Sequence, residues 1–333
     1  MIKEGNEIYT SLKDSPFRFT PNNISLKDDA FHSSTAKRFT EWWYFDAMFD
    51  NGYSIQLNVR ILSIIKNRFA LIYKRLDIYK DGKLIKHYRK RYGLKNFEAS
   101  NEIPYVKLGG KEVIKGFIDK KTGNFVYNVF FEIENSSANL RFKSCTKGWK
   151  GKNPGGDEWA VILPRAEVDG KIKVDNNEID VTGIGYHDHN WDVRYAATQN
   201  NHGWFWGKIY SNNFTITWAT IYKNKNIGQP LLVINENNKG YINFKPDEIN
   251  FIADKLSLEN KKMIPHHFIL EANNGKEKIK FSMDAKDLHH DTVMIRYNYW
   301  RYHMMCDGTI TVGDRTENAK GIQIAEFLRF KDK

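Results

Sequence analysis

The sequence contains little cysteine and no long uncharged apolar run. Its 333 residues include two cysteines, Cys145 and Cys306, which exclude a disulfide framework and a cysteine-based zinc site. No segment reaches the roughly 18 consecutive apolar residues that a membrane-spanning helix needs. The first twenty residues mix charged and polar side chains and lack the apolar centre of a secretory signal. We therefore expect a soluble, cytoplasmic protein.

Sequence motifs of several large protein classes are also missing. The patterns GxGxxG, GxxxxGK[ST], GxSxG and HExxH do not occur, which argues against nucleotide-dependent redox chemistry and phosphoryl transfer. There is no RNP-type aromatic signature, helix-turn-helix pattern or zinc finger. The motifs therefore predict no nucleic-acid partner.

The net charge of +11 is concentrated in one part of the first half. Eleven basic residues lie between residues 66 and 95, where the acidic residues are Asp77 and Asp81. Such a patch raises the local concentration of anionic partners. We expect either a solvated hairpin face or a peripheral contact of the 66–95 hairpin with an anionic membrane.

The sequence pattern predicts a series of β-strands. Aromatic and β-branched residues alternate with polar ones over short runs, and turn residues separate these runs. Asp81-Gly82, between two such runs, is the signal of a tight hairpin. Only residues 246–253 suggest a short helix. Because the runs are about twice as many as one barrel needs, we predict an all-β protein of two consecutive antiparallel β-barrels, residues 1–160 and 161–333, packed against each other.

The densest group of reactive side chains lies in the segment GYHDHNWD, residues 185–192. In a strand, residues two apart share a face, so His187, His189 and Trp191 would point one way, and Tyr186 and Asp188 the other. Paired imidazoles suit proton transfer or metal binding. A metal needs further ligands that no local spacing supplies, so we predict none. A purely structural polar network is the alternative.

A carboxylate beside large aromatics marks the segment EWWYF, residues 41–45. Strand alternation places Glu41, Trp43 and Phe45 on one face. Burial against indole would disfavour the charged form of Glu41, which could then act as an acid near neutral pH. Otherwise Glu41 would cap the strand in solvent or pair with an arginine.

Further aromatic residues crowd the region around the paired histidines. Large aromatics can fill a core, but an aromatic pocket with a few convergent polar groups is typical of a ligand site. We predict that they share one apolar cavity with the histidines. The predicted substrate-binding residues are Trp191, Trp43, Tyr44, Trp204, Trp206, Trp218, Tyr222 and Tyr186.

Three segments resemble the AttH/CrtC-like proteins: residues 41–44, 185–191 and 321–326. That family includes hydroxyneurosporene synthase, a carotenoid hydratase; plant tocopherol cyclases and fungal Diels–Alderases are more distant. The resemblance spans roughly residues 35–330. It implies two lipocalin-like (calycin-type) barrels with a ligand pocket, no metal and no redox cofactor. It also implies protonation, hydration or cyclisation of long apolar isoprenoids or polyenes.

The resemblance assigns roles to particular residues. The His-x-Trp pair of the carotenoid hydratases falls on His189 and Trp191. Those enzymes also use a Tyr-x-Asp pair on a strand further along, where this sequence reads FTITW at 214–218, without a carboxylate. A proton donor would then be Asp188, Glu41 or another acid, with His187 in the relay.

Two functions follow as expectations. The first is an enzyme that binds a bulky hydrophobic molecule and hydrates, isomerises or cyclises it without a redox cofactor. The second is a non-catalytic lipocalin-like carrier of a lipid or pigment. The missing hydratase carboxylate favours the carrier, and the histidine cluster favours the enzyme.

Overall fold

A computed structural model describes residues 8–33, 39–65, 69–194, 202–293 and 297–330. The chain divides into two compact units. We call residues 21–197 the N-terminal barrel, and residues 198–333 together with residues 1–20 the C-terminal barrel. None of the helices in the described ranges is long and apolar enough to cross a membrane.

The N-terminal barrel consists almost entirely of strands. Its short 3₁₀ helices are Leu26–Asp29 and Leu94–Asn96. After β1 (Tyr9–Ser11), which belongs to the C-terminal barrel, its strands are β2 (Asn22–Asn23), β3 (Phe39–Phe49), β4 (Tyr53–Ile65), β5 (Phe69–Lys80), β6 (Lys83–Gly93), β7 (Phe97–Ala99), β8 (Tyr105–Leu108), β9 (Lys111–Ile118), β10 (Phe125–Ile133), β11 (Ser136–Ser144), β12 (Trp149–Lys152), β13 (Glu158–Val174) and β14 (Asn177–Arg194).

The C-terminal barrel contains one 3₁₀ helix among its described residues, Pro246–Glu248. The helix expected over 246–253 is therefore limited to one turn, because a strand begins at Ile249. Its strands, besides β1, are β15 (Gly203–Tyr210), β16 (Phe214–Tyr222), β17 (Ile227–Glu236), β18 (Tyr241–Asn243), β19 (Ile249–Glu259), β20 (Lys262–Asn273), β21 (Glu277–Val293), β22 (Tyr297–Val312) and β23 (Arg315–Arg329).

The predicted boundary at 160/161 differs from the observed division. Residues 160 and 161 lie within β13, which pairs on both sides with β11 and β14. A domain boundary at this position would divide one continuous hydrogen-bonded strand between two domains. Pro154, Gly155 and Gly156 form a turn between β12 and β13, and such a cluster of proline and glycine resembles a domain boundary in the sequence.

Side chains from alternate positions of the strands fill the interior of the N-terminal barrel. The sheet runs in the order β6-β5-β4-β3-β14-β13-β11-β10-β9-β8-β7. Trp43, Phe45, Ala47 and Phe49 of β3 point into the core, because successive side chains of a strand face opposite sides. The same packing requires a glycine at position 185 of β14, because a Cβ there would lie 2.5 Å from a side-chain carbon of Val168.

The N-terminal strand β1 closes the C-terminal barrel. Thr10 lies opposite Ile227 of β17 in parallel register and opposite Ile252 of β19 in antiparallel register. Because β17 and β19 are otherwise at different ends of the sheet order, β1 completes the ring. Tyr9 enters the core of this barrel, with its ring centroid 5.6 Å from that of Phe205 and 5.4 Å from that of Tyr222.

One barrel is closed and the other is nearly closed. The predicted all-β fold of two antiparallel barrels is confirmed.

Candidate active site

The paired histidines lie inside the N-terminal barrel, on β14 beside β3. His189 is directly opposite Trp43, and His187 is opposite Phe45. The rings stack in both pairs: the centroids are 4.5 Å apart for His189 and Trp43, and 3.7 Å apart for His187 and Phe45. Both histidines have no exposed surface. The predicted shared face of His187 and His189 is therefore observed, and it faces the core.

A segment that the sequence analysis did not single out supplies the principal carboxylate. The crossing segment, residues 24–33, packs onto the core of the N-terminal barrel through Ile24, Leu26 and Phe31. A capping box at Ser25 starts its 3₁₀ helix, and the helix ends on Asp29, which is fully buried. The indole Nε1 of Trp43 donates to the backbone carbonyl of Asp29 over 2.9 Å.

The Asp29 carboxylate links the two histidines. Its Oδ2 lies 2.9 Å from His187 Nε2, and its Oδ1 lies 3.1 Å from His189 Nδ1. His187 Nδ1 donates to the carbonyl of Tyr44 over 2.9 Å. Burial alone would raise the pKa of Asp29, but the charge of His187 and the hydrogen bonds from both imidazoles hold it well below its usual range.

His189 is held between two carboxylates. Its Nε2 lies 3.0 Å from Glu41 Oε1, on the side opposite Asp29. Burial disfavours the imidazolium, but the hydrogen bonds and negative charges of Asp29 and Glu41 outweigh it and raise the pKa of His189 to about 9. The imidazole is therefore protonated at neutral pH, and the Trp43 face lies against it.

Glu41 is fully buried and is hydrogen-bonded through one of its two carboxylate oxygens. Its Oε1 also accepts the backbone N–H of His32 over 2.8 Å. Its Oε2 is buried without a hydrogen-bond partner among the described residues. Such an atom is uncommon in a folded protein, because an unpaired buried oxygen costs free energy. The interpretation of Glu41 as a solvent-exposed cap is wrong, because the residue is fully buried, and no arginine of the described ranges forms an ion pair with it.

His32 connects the cluster with the surface. Its side chain is 30% exposed, and its Nδ1 lies 3.5 Å from Glu41 Oε1. The ring stacks on Trp191 at a centroid distance of 4.0 Å and an interplanar angle of 4°. Trp191 in turn lies 5.2 Å from the ring of His189. A series of groups that can carry protons thus extends from the partly exposed His32 to the fully buried Glu41 and His189.

Asp188 belongs to a different environment. It is buried on the other face of β14, where its Oδ2 accepts hydrogen bonds from Tyr186 over 2.9 Å and from Trp159 over 3.0 Å. Tyr44 is on this face as well, 6.2 Å from Tyr186 between ring centroids. The sequence-predicted acids Asp188 and Glu41 are therefore separated by the sheet.

The aromatics that were predicted to share a cavity with the histidines are distributed over both compact units of the structure. Trp218 and Tyr222 fill the core of the C-terminal barrel. Trp204 lies outside that core against Phe330, and Trp206 is buried beside Lys208, whose Nζ lies 5.7 Å from its ring centroid. β14 belongs to the N-terminal barrel, and β15 and β16 belong to the C-terminal barrel.

Among the residues that the structure describes, one set of side chains could hold a metal ion. A nitrogen of His32, an oxygen of Glu41 and a nitrogen of His189 all lie within 4.8 Å of one another. Two histidines and a carboxylate are a donor set that zinc accepts. In the present arrangement His189 Nε2 lies within hydrogen-bonding distance of Glu41, so a proton occupies the position that a cation would need. His32 was not a sequence candidate because its separation from residues 41 and 189 matches no ligand spacing.

The sequence analysis also missed Asp29 and Tyr127. The Tyr127 ring stands edge-on to His187 at 4.8 Å, and burial, together with the charge of Asp29, raises the pKa of its hydroxyl well above the ordinary value. Asp29 precedes Glu41 by only twelve residues, so a search for acids around the 41–45 segment could have included it. Nothing in the sequence around residue 127 signals this contact.

Comparison with solved structures connects this geometry with known proteins. A Nitrosomonas europaea protein assigned as AttH superposes with a TM-score of 0.68 over 92% of this chain and 96% of its own, at 15% identity. The chain has the AttH fold. This confirms at the level of the fold the resemblance found in the sequence.

The AttH fold is shared by proteins with different names. Kievitone hydratase from Nectria haematococca matches with a TM-score of 0.58 at 10% identity, over 92% of this chain and 93% of its own. CghA in complex with Sch210972 matches with a TM-score of 0.55 at 10% identity, over 98% of this chain and all of its own.

A sequence relative matches part of the chain. A protein of Chlorobaculum tepidum named hydroxyneurosporene dehydrogenase is 23% identical over 244 residues. The match covers 62% of this chain and 62% of the relative, so the chain spans less than two thirds of it. No family model matches the chain.

Proposed function

We propose that the protein is an enzyme that protonates an unsaturated apolar molecule, of the isoprenoid or polyene class, and thereby hydrates, isomerises or cyclises it. The observation that carries the proposal is Glu41 Oε2, a buried oxygen without a partner in the described chain, on a carboxyl group next to a protonated imidazole. The hydratase among the proteins of the same fold and the carotenoid name of the sequence relative support the reaction class and the substrate class.

The proton donor in this proposal is Glu41. The Glu41 carboxylate first takes the proton of the His189 imidazolium, and the resulting carboxyl group gives it to one carbon of a double bond. The new C–H bond takes the π-electron pair, and positive charge develops on the neighbouring carbon. In hydration, the oxygen of a water molecule captures that carbon and its surplus proton returns to Glu41. In cyclisation, a second double bond of the same molecule supplies the electron pair, and loss of a proton ends the reaction.

The surroundings of Glu41 suit these steps. His189 carries a proton 3.0 Å from Oε1 and can restore the one that Glu41 has given away. Trp43 and Trp191 present indole rings beside His189, and indole faces stabilise nearby positive charge by roughly 0.5–2 kcal/mol. Asp29 holds the imidazole in position, as a carboxylate does for a catalytic histidine. His32 offers a route for protons from solvent.

A deuterium-incorporation experiment tests the proposal. The protein is incubated in D₂O with acyclic carotenoids and shorter polyenes, and the products are analysed by mass spectrometry for added water and for new C–D bonds. Glu41→Gln keeps the size and the Oε1 contact but removes the acidic proton. We expect it to lower the rate by roughly 10²–10⁴-fold, the usual contribution of general acid catalysis.

Asp188→Asn is the matched control, since it makes the same acid-to-amide change at a buried carboxylate on the opposite face of β14. It should change the rate far less than Glu41→Gln does. Loss of activity in Asp188→Asn with normal activity in Glu41→Gln would refute the assignment of the donor. Tight binding of a polyene by the wild type without deuterium incorporation would refute the enzyme and favour the carrier.

A further inference from the structure

The C-terminal barrel carries a second group of reactive side chains, far from the histidine cluster in sequence. Asp254, His267 and Ser282 lie on three consecutive antiparallel strands, β19, β20 and β21. Asp254 is directly opposite His267, and His267 is opposite Asp284, two residues from Ser282. The neighbouring residues Phe268 and Met283 are buried in the core, so the three side chains share the outer face of the sheet.

Their distances are those of a hydrogen-bonded chain. The Oδ1 of Asp254 lies 2.6 Å from His267 Nδ1, and the Oγ of Ser282 lies 3.1 Å from His267 Nε2. A carboxylate at Nδ1 accepts the proton of that nitrogen, which leaves Nε2 as the acceptor for the serine O–H. This is the connectivity in which a histidine acts as general base for a serine nucleophile.

The exposure of the three groups also fits a reactive site. Ser282 is exposed on β21, while the side chain of His267 is only 13% exposed. Lys255 adopts the left-handed conformation, with φ 50°, between Asp254 and Leu256, which lie opposite His267 and Pro265 in an unbroken register. Its Nζ lies 3.6 Å from Asp284 Oδ1, so a cation lies at the edge of the group.

We propose that Ser282 is an activated nucleophile and that this face of the C-terminal barrel cleaves small activated esters. Ser282 Oγ attacks the ester carbonyl and passes its proton to His267 Nε2; the C–O bond to the leaving group breaks, and that group takes the proton from His267. Water then attacks the acyl-serine with His267 again as base. The acid is released and Ser282 regains its proton. Asp254 acts as a positioning residue, and the Lys255 ammonium and solvent face the developing oxyanion.

The test uses two probes on the full-length protein. An alkyl fluorophosphonate labels nucleophilic serines, and the labelled peptide is identified by mass spectrometry; p-nitrophenyl acetate reports turnover. We expect the label on Ser282, its loss in Ser282→Ala, and a fall of roughly 10²-fold or more in the labelling rate of His267→Gln, since that change removes the general base. Asp254→Asn should slow labelling and should alter its pH profile.

Two variants on the same barrel control for general surface reactivity. Ser257→Ala removes an exposed serine of β19, and His266→Gln removes a neighbouring histidine whose Nε2 lies 3.3 Å from Glu259. Both should label and turn over like the wild type. An unlabelled wild type, or label that persists in Ser282→Ala, would overturn the proposal.

Discussion

Raising the pH should destabilise the N-terminal barrel through His189. The folded protein raises the pKa of this imidazole from 6.5 to about 9. A group with a raised pKa stabilises the fold fully below its unfolded pKa, and the contribution disappears as the pH rises through the folded value. The difference between the two values corresponds to about 3 kcal/mol of unfolding free energy. That amount is a large fraction of the stability of an ordinary domain.

Lys74 acts in the opposite direction within the same barrel. Burial, and then the nearby charge of Lys90, lower its pKa to about 8, against a weaker opposing effect of Glu132. A lysine with a lowered pKa binds more protons when unfolded, so above pH 8 its contribution rises with pH. The change of the unfolding free energy with pH therefore contains the contributions of both His189 and Lys74. Comparison of the wild type with His189→Gln separates them, because the variant keeps Lys74.

The measurement is urea unfolding followed by tryptophan fluorescence at pH values between about 6 and 10. The free-energy difference between wild type and His189→Gln should shrink by about 3 kcal/mol from the low to the high end of this range. NMR titration of the His189 ring in the folded protein gives its pKa independently. A constant difference across the range, or a ring that titrates near pH 6.5, would refute the assignment of His189 as a buried imidazolium.

Two further predictions concern β1 and the basic hairpin. Tyr9→Ala should destabilise the C-terminal barrel by roughly 3–5 kcal/mol, as for other large core aromatics, measured by urea unfolding; Ile8→Ala, at a residue that is 44% exposed, should cost much less, and equal costs would contradict closure by β1. We also propose that the hairpin contacts anionic membranes. Co-sedimentation with phosphatidylserine vesicles should weaken with added salt and with Lys83→Glu plus Arg91→Glu, but not with the exposed control Lys278→Glu; binding insensitive to both would refute it.

The strands could be predicted because their pattern is local. Alternation of apolar and polar residues fixed which side of β14 carries His187 and His189, and the structure agrees for that pair. The division of the chain could not be predicted in this way. It depends on the pairing of Thr10 with Ile227 and Ile252, partners more than two hundred residues away, and no local pattern specifies such a pairing.

The part of the candidate site that lies on strands could be predicted, because strand alternation is a local pattern. Glu41, Trp43 and His189 stand in two segments of conspicuous composition, and cross-strand pairing brings them together. Asp29 and His32 come from a segment without regular alternation. Their positions follow from the packing of the crossing segment onto the core and from the indole hydrogen bond to Asp29, and these contacts exist only in the folded barrel.

The location of Asp29 bears on the carboxylate that the sequence lacks at residues 214–218. The resemblance to carotenoid hydratases placed an acid on the strand that reads FTITW here, and that strand is β16, in the C-terminal barrel. The N-terminal barrel nevertheless brings two carboxylates to His189, from Asp29 and Glu41, at 3.1 and 3.0 Å. A histidine with two buried acids can carry and replace a proton without a third acid from β16. The absence of a carboxylate at 214–218 is therefore not an argument for a carrier.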